Sequence, residues 1–244
     1  MNLAEAYKVV KPSVIGLAYQ HPSEDDKNKI WFELSSSGVC VDPSGIFVTA
    51  KHCVVDDKRI RSVKEINFHI IRSWISNEPS FKVLYFQPTS ILVSEKYDVA
   101  VMKIPSKKDI NFPYIKMPSK FEINEGDSVG CSGYPVTSGT RIDVYPNLFS
   151  GIISQISFQI IDKELYCDGL VLDMTLHPGN SGGPIFNLNG ELIAIVSQQE
   201  NRAIKQIEDP NNVHDRKLVW TNLLHCVPYT IFNSMVEQIK RENN

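Results

Sequence analysis

Short apolar segments alternate with polar turns along most of this chain, and the pattern predicts β-strands. The candidate strands are residues 12–20, 45–53, 66–71, 82–86, 90–93, 97–104, 148–154, 184–186, 191–197 and 218–227. The Asn189-Gly190 pair between two of them is a strong signal for a tight hairpin, and the polar stretch 200–216 predicts a loop. Because helices do not alternate with the strands, we expect an all-β fold of antiparallel strands.

A helix is predicted at each end of the chain. Near the N-terminus, Asn2 can cap a short amphipathic helix, and Pro12 would stop it. Residues 229–241 place apolar side chains on one face, and Thr230 is the expected cap of this closing helix. The apolar stripe is typical of a helix that packs on the core.

Composition excludes several classes of protein. The 244 residues are 42% hydrophobic and 22% charged, as in ordinary globular proteins, and the net charge is −3. The basic cluster at residues 58–61 is short and lacks aromatic side chains, so we expect no nucleic-acid partner. No apolar run approaches the ~20 residues that a membrane-spanning helix needs, so no membrane association is expected.

The most distinctive segment is His-Pro-Gly-Asn-Ser-Gly-Gly-Pro at residues 177–184. Glycine tolerates positive φ angles, so this run can turn its backbone N–H groups inward beside Ser181. Two such N–H groups form the donor pair that stabilises the oxyanion of acyl transfer. A tight turn with an exposed serine fits the same segment, and the rest of the chain must decide between the two.

A serine nucleophile needs a base, and the base needs a group that orients it. His52 follows an apolar strand in the segment Thr-Ala-Lys-His-Cys, and Asp98 stands at the start of another apolar strand. Each alone would be interpreted as a structural residue. Together with Ser181 they supply the three side chains of a catalytic triad.

These segments resemble, in order and spacing, the motifs TAxHxV, YDxAV and GNSGGP of the chymotrypsin-fold serine endopeptidases. The chain is most similar to the HtrA/Deg-type bacterial peptidase domain, over residues 6–236. The resemblance implies two antiparallel six-stranded β-barrels with the active site between them. The Pro-rich stretch 105–120 would cross between the barrels, which gives predicted domains at 1–115 and 116–244. Few residues follow the closing helix, so no PDZ domain is expected.

The resemblance also implies a role for each residue of the triad. Ser181 is the expected nucleophile, His52 its general base and Asp98 the group that orients the base. The N–H groups of Gly179 and Ser181 would form the oxyanion hole. Asn180 stands where zymogen-activated relatives carry an aspartate that pairs with a new N-terminus, so activation by propeptide cleavage is not expected.

Five further assignments concern substrate binding. By resemblance, Thr175 and Leu176 form the wall of the specificity pocket, and the edge strand Ser197-Gln198-Gln199 pairs with the substrate backbone. Trypsins place an acid where Thr175 stands, so we expect a small or aliphatic side chain before the scissile bond. Residues 218–221 resemble the family's GVYT segment, which would put Leu218 where an open pocket has glycine.

The remaining expectations concern redox state, location and partners. The five cysteines lack metal-ligand spacing, so no metal site is expected, and no cofactor is expected either. Secreted relatives pair the cysteine after the catalytic histidine with one on the preceding strand, and by resemblance that position falls on Ser36 or Ser37 here, so Cys53 is expected to stay unpaired. Free thiols and the lack of a visible signal peptide predict a cytoplasmic location. The predicted partner is a protein or peptide substrate, and the sequence does not indicate an oligomeric state.

We therefore predict a serine endopeptidase that acts through an acyl-enzyme on Ser181. Two alternatives stay open. One is a protease-fold binding or scaffold module that keeps the triad but is inactive. The other is a partner-gated effector peptidase of an intracellular stress or defence pathway.

Overall fold

The computed structural model describes residues 1–22, 30–56, 59–61, 66–71, 83–105, 110–135, 145–161, 164–205 and 216–242. Two antiparallel sheets and two helices account for most of these residues. The predicted all-β architecture of two barrel-like units with a helix at each end is confirmed.

The first sheet contains seven strands. These are β1 (Val14–Pro22), β2 (Ile30–Asp42), β3 (Ile46–Thr49), β6 (Ile66–Ile71), β7 (Val83–Phe86), β8 (Ser90–Val93) and β9 (Ala100–Lys103). A separate small ladder joins β4 (Val55–Asp56) to β5 (Arg59–Ile60). The order in the sheet is β7-β6-β1-β2-β3-β9-β8, with every neighbouring pair antiparallel. In the described part this unit is thus an open, half-barrel sheet of seven strands, where six closed strands were expected.

The second sheet closes into a six-stranded barrel, as expected. Its strands are β10 (Ser128–Gly133), β11 (Asn147–Ile161), β12 (Glu164–Asp173), β13 (Pro184–Phe186), β14 (Leu192–Lys205) and β15 (Arg216–Pro228). Their order is β10-β11-β12-β15-β14-β13, and β13 pairs with β10 to complete the circle. All strands of the first sheet precede residue 104 and all strands of this barrel follow residue 127. The boundary at 115/116 stays a prediction.

Two details of the predicted strands are wrong. The first strand begins at Val14, because Lys11–Ser13 forms a 3-10 turn that contains Pro12. The stretch 200–216 was expected to be a loop, but β14 runs to Lys205 and β15 starts at Arg216. The two strands continue as a ladder through the pair Lys205↔Arg216, because backbone hydrogen bonds sustain strands even where the side chains are polar. Residues 206–215 lie outside the described part.

The helices close the two ends of the molecule. Helix α1 (Leu3–Val10) starts with the capping box formed by Asn2 and Glu5, so the predicted cap is confirmed. Helix α2 (Tyr229–Glu242) begins at the expected residue and runs one residue farther than expected. Thr230 therefore lies inside its first turn and donates to the carbonyl oxygen of Cys167 (3.4 Å) instead of capping the helix.

One hydrophobic core joins the two sheets. Helix α2 buries Phe232, Val236 and Ile239 completely, and they pack with Val101 of β9 and Ile195 of β14. Burial of each large apolar side chain contributes about 1.5–3 kcal/mol. Each sheet also has a core of its own, so the cleft between the sheets is framed by three packed clusters. In the part of the chain that the structure describes, neither helix is long and apolar enough to span a membrane.

Candidate active site

A cavity of about 780 Å³ lies where the two sheets meet. The first sheet contributes His52 and Asp98 to its lining. The second barrel contributes the rest of the lining: Thr175, Leu176, His177, Pro178, Asn180, Ser181, Val196, Ser197, Gln198 and Leu224. The three side chains expected to form a triad are therefore brought together in one pocket, although they are far apart in the sequence.

His52 lies in a 3-10 turn, Lys51–Cys53, that directly follows β3. All four residues of β3 are buried, so the strand is a rigid support for this turn. The Nδ1 atom of His52 lies 2.8 Å from Oδ2 of Asp98, and the backbone N–H of His52 donates to Oδ1 of the same carboxylate (2.9 Å). Two contacts between the same two residues fix both the position of the imidazole ring and its orientation.

Asp98 accepts a third hydrogen bond, which the sequence did not indicate. The hydroxyl of Ser197 donates to Oδ2 of Asp98 over 2.6 Å, across the boundary between the two sheets. Ser197 was predicted as a residue of the substrate-pairing edge strand. Its side chain instead joins that strand to the His52–Asp98 pair, while the residue still lines the pocket.

The electrostatics of the pair follow from these contacts. Hydrogen bonding to Asp98, followed by contact with Cys53, raises the pKa of His52 above its ordinary value despite partial burial. Burial by itself would raise the pKa of Asp98, but the hydrogen bonds from His52 and Ser197 outweigh it and lower that pKa. The carboxylate is thus ionised near neutral pH and stabilises a protonated imidazole.

Ser181 lies in a loop that follows a tight turn. The N–H of Asn180 donates to the carbonyl oxygen of His177 (3.2 Å), and Gly179 between them has φ = +95°. These are the features of a type II turn, which requires a positive φ at its third residue. Gly182 (φ = +79°) then turns the chain toward β13, and its N–H donates to the carbonyl oxygen of Val196.

The N–H groups of Gly179 and Ser181 donate to no protein atom among the described residues. Gly179 is buried, and an unpaired buried N–H group has a free-energy cost unless water or a ligand satisfies it. The Ser181 hydroxyl likewise makes no hydrogen bond to His52 or to another described side chain. Such contacts are often long without substrate and tighten when it binds.

The apolar side chains that line the pocket include Leu224, which the sequence did not indicate. Leu176, Val196 and Leu224 line it together with Thr175. Leu224 belongs to β15 and pairs with Gln199 of β14. The expected position, Leu218, pairs instead with Ala203, several residues farther along the hairpin. The backbone of Leu218 thus lies several residues from Leu224 along β15, and the resemblance of residues 218–221 to the pocket segment stays a prediction.

The segment Ser197-Gln198-Gln199, expected as the edge strand, lies in β14, and Ser197 and Gln198 line the pocket. Of the described strands, β13 pairs with β14 only between Leu192 and Ile195, whereas β15 pairs with Gln198 and Gln199, so this segment has a neighbouring strand on one side. Its pairing with a substrate backbone stays a prediction. The bulges of β14 between Val196 and Gln198 and between Gln199 and Asn201 interrupt the ladder beside the cavity.

All five cysteines are free and buried, and the prediction that Cys53 is unpaired is confirmed. The Cys53 thiol donates weakly to the carbonyl oxygen of Ser181 (3.7 Å). Burial raises the pKa values of the Cys40 and Cys131 thiols well above their usual range, so both are neutral. Among the described residues no group of three or more His, Cys, Asp or Glu side chains could hold a metal ion.

Comparison with protein families gives one match, which covers most of the site. A family model described as "Trypsin-like peptidase domain" matches residues 36–195. That range includes His52, Asp98 and Ser181, and it extends over both sheets.

Three individual relatives each align with part of this chain, and each is named "Probable periplasmic serine endoprotease DegP-like". The protein of Halomonas elongata is 35% identical over 103 residues, which is 42% of this chain and 20% of the relative. That of Pseudomonas putida (strain W619) is 28% identical over 162 residues, 66% of this chain and 28% of the relative. That of Chlamydia pneumoniae is 25% identical over 174 residues, 71% of this chain and 30% of the relative.

These alignments thus cover less than a third of each relative's length. The relatives are named as periplasmic, which disagrees with the cytoplasmic location predicted above. That location forms no part of the proposed function.

Proposed function

The chain belongs to the trypsin-like peptidase family, and on that premise we propose that it hydrolyses peptide bonds with Ser181 as the nucleophile. The observation that carries the proposal is the shared pocket. It holds a hydrogen-bonded His52–Asp98 pair, Ser181, and the loop whose Gly179 and Ser181 N–H groups have no partner among the described residues.

In the proposed first step the Ser181 oxygen attacks the carbonyl carbon of the scissile peptide bond. His52 accepts the serine proton on Nε2, because Nδ1 is engaged by Asp98. The carbonyl oxygen becomes an oxyanion, which the N–H groups of Gly179 and Ser181 stabilise. Losing one such donor typically costs about 10²–10³ in rate.

His52 then returns its proton to the departing amine, and the carbon–nitrogen bond breaks to leave an acyl-enzyme on Ser181. A water molecule attacks the acyl carbon while His52 takes up one of its protons. Collapse of the second tetrahedral intermediate releases the carboxylic acid, and His52 returns the proton to Ser181. Asp98 stays ionised throughout and stabilises the imidazolium in both halves of the reaction.

The pocket supports a preference for a small or aliphatic side chain before the scissile bond. Leu176, Val196 and Leu224 give the pocket an apolar lining, and Thr175 supplies no charge. The carboxylate in the described lining, Asp98, is already engaged by His52 and Ser197, so a Lys or Arg side chain would lose its hydration there with little gain from a counter-ion. An aliphatic side chain gains about 25 cal/mol for each Å² that it buries.

A binding module that is held inactive is the competing proposal. It is favoured by the lack of a hydrogen bond from the Ser181 hydroxyl to His52 in the described structure. In that case the pocket would bind a peptide segment without cleaving it, or would become active only after a partner orders the loop.

Labelling with a biotinylated fluorophosphonate separates the two proposals. This probe phosphonylates a serine only when a base activates it. We expect intact-mass analysis to show one adduct on the wild-type protein and none on Ser181→Ala. A wild-type protein that stays unlabelled across pH 6–9 would contradict the peptidase proposal and favour the binding module.

A further inference from the structure

Ser37 of β2 contacts the serine loop from the opposite sheet. Its hydroxyl donates to the carbonyl oxygen of Gly179 (2.7 Å), and its backbone N–H donates to the carbonyl oxygen of Ser181 (2.9 Å). The hydroxyl also accepts from the N–H of Tyr134 (2.8 Å), and the Ser37 carbonyl oxygen accepts from the Thr49 hydroxyl (2.7 Å). Ser37 is completely buried, so all of its polar groups are satisfied within the protein.

These contacts restrict the peptide groups of the loop one by one. A peptide group is planar, so a hydrogen bond to its C=O also fixes the direction of its N–H. The Gly179–Asn180 group is held by Ser37 at its oxygen and by His177 at its nitrogen. The Asn180–Ser181 group is held at its oxygen by the N–H of Gly183 (2.9 Å), which leaves the Ser181 N–H pointing the opposite way.

The Pro178–Gly179 group is different, because nothing among the described residues holds either its oxygen or its N–H. This is the group whose N–H is proposed to contact the oxyanion. It can rotate only through the bonds that join it to Pro178 and to the following group. The direction of the Gly179 N–H therefore depends on how firmly the Gly179–Asn180 group is held, and the side chain that holds its oxygen belongs to Ser37.

Within the described ranges, the structure shows no ion pair to this loop. Asn180 is buried and neutral, its side-chain amide donates to the carbonyl oxygen of His177 (3.0 Å), and its Oδ1 atom has no partner in the described structure. Asn180 thus stabilises the turn internally but does not connect it to the first sheet. Ser37 makes that connection on both sides of Asn180.

The packing around Ser37 leaves little freedom to the loop. A Cβ atom added to Gly182 would lie 2.3 Å from the Ser37 carbonyl oxygen, and one added to Gly133 would lie 2.8 Å from its hydroxyl. Both distances are shorter than real contacts, so the backbones of Gly182 and Gly133 lie directly against Ser37. The position of β2 is therefore transmitted to the loop through one short, buried side chain and one backbone hydrogen bond of Ser37.

We propose that Ser37 is a positioning residue of the oxyanion hole, which restricts the direction of the Gly179 N–H group by holding the adjacent Gly179–Asn180 peptide group at its oxygen. The inference deepens the proposed function and rests on it. Ser37 lines no part of the substrate pocket and touches neither His52 nor Asp98. Its loss should therefore weaken stabilisation of the oxyanion and leave substrate binding and the pKa of His52 unchanged.

The test compares Ser37→Ala with Ser36→Ala, a buried neighbour that makes no contact with the loop. Two quantities are measured: the rate constant of Ser181 phosphonylation by the fluorophosphonate, and the affinities of an acetylated tripeptide valine aldehyde and of the corresponding alcohol. The aldehyde forms an oxyanion on Ser181, whereas the alcohol does not. For Ser37→Ala we expect phosphonylation about five- to tenfold slower and the aldehyde-to-alcohol affinity ratio reduced equally, the change for one neutral hydrogen bond.

The midpoint of the pH–rate profile should not move in Ser37→Ala, because Ser37 does not contact His52. A merely structural role would lower the active fraction but would leave the affinity ratio unchanged. If the wild type reacts and Ser37→Ala behaves like Ser36→Ala, the inference is wrong while the proposed function stands. If the wild type neither reacts nor binds the aldehyde, both are wrong.

A second variant covers the case in which Ser37→Ala does not fold. Thr49→Val keeps the shape of the side chain but removes its hydrogen bond to the Ser37 carbonyl oxygen. We expect a decrease in the aldehyde-to-alcohol affinity ratio of about two- to threefold in this variant. An unchanged ratio in a folded Thr49→Val protein would overturn the inference.

Discussion

The two sheets hold their parts of the candidate active site by different physical means. Beside the first sheet, a hydrogen bond joins the His52 imidazole to the Asp98 carboxylate, and the hydroxyl of Ser197 from β14 donates a further hydrogen bond to Asp98. On the second, the loop that carries Ser181 is fixed by backbone hydrogen bonds and by two glycines with positive φ. One half depends on electrostatics, and the other on backbone conformation.

The difference predicts two kinds of failure. Substitutions in the charged pair should change the pKa of His52 and hence the pH dependence of activity. Substitutions in the loop should reduce activity at every pH, because they move N–H donors without altering the charge of a titrating group.

Asp98→Asn should have the largest effect. Asp98 favours the protonated imidazole, so its removal should lower the pKa of His52 and move the acidic limb of the pH–rate profile to lower pH. At the optimum, kcat should still fall by about 10⁴-fold, because the amide can bind the wrong tautomer of the ring. NMR titration of the His52 ring gives the pKa. An unchanged pKa would show that Asp98 does not control the charge of His52.

Gly179→Ala should lower kcat by about 10²–10³-fold at every pH. A side chain at φ = +95° costs about 1–2 kcal/mol, and the turn can avoid that cost by rotating the Pro178–Gly179 peptide group, which turns the N–H away. The matched control is Gly126→Ala, which has φ = +92° and no atom within 4 Å of the added carbon. It should lose similar stability in a thermal melt but keep its activity. Equal activities of the two variants would contradict the role of Gly179.

Leu224→Ala should change substrate selectivity. Removing the side chain enlarges the apolar end of the pocket, so the ratio of kcat/KM for a peptide with Phe before the scissile bond to that with Val should rise about 10- to 100-fold. The control is Leu172→Ala, an equally buried leucine outside the pocket lining. Both should lose about 2–5 kcal/mol in urea unfolding. A selectivity change in Leu172→Ala of the same size would refute the assignment of Leu224.

Ser197→Ala should have the smallest effect. It removes one of the hydrogen bonds to Asp98 and leaves both contacts with His52 in place. We expect kcat to fall about fivefold, equivalent to about 1 kcal/mol, and the pKa of Asp98 to rise. A loss as large as that of Asp98→Asn would mean that Ser197 has a further role in the site.

The sequence predicted those features that depend on short segments. Asn2 and Glu5 are three residues apart, so their capping box was visible in the chain itself. The strand alternation and the glycine-rich loop at Ser181 likewise depend on neighbouring residues. His52 and Asp98 were proposed from the order and spacing of segments that resemble the family's motifs, since each residue alone would be interpreted as structural.

The features that the sequence did not predict depend on pairing between distant strands. The register between β14 and β15 shifts twice beside the pocket, so the local sequence does not show that Leu224 of β15 lines it. Ser37 is the last of three consecutive serines, and nothing local shows that its hydroxyl meets a loop more than a hundred residues away. The Ser197–Asp98 contact joins the two sheets and was hidden for the same reason.

The central claim is that His52 and Ser181 act as one unit, and a double-mutant cycle on peptide hydrolysis tests it most directly. The rates of His52→Ala, Ser181→Ala and the double variant are compared with the wild type. Residues that act as a unit give grossly non-additive effects, so we predict that all three variants fall to the same residual rate. Losses that multiply in the double variant would contradict the account, because the two side chains would then contribute independently.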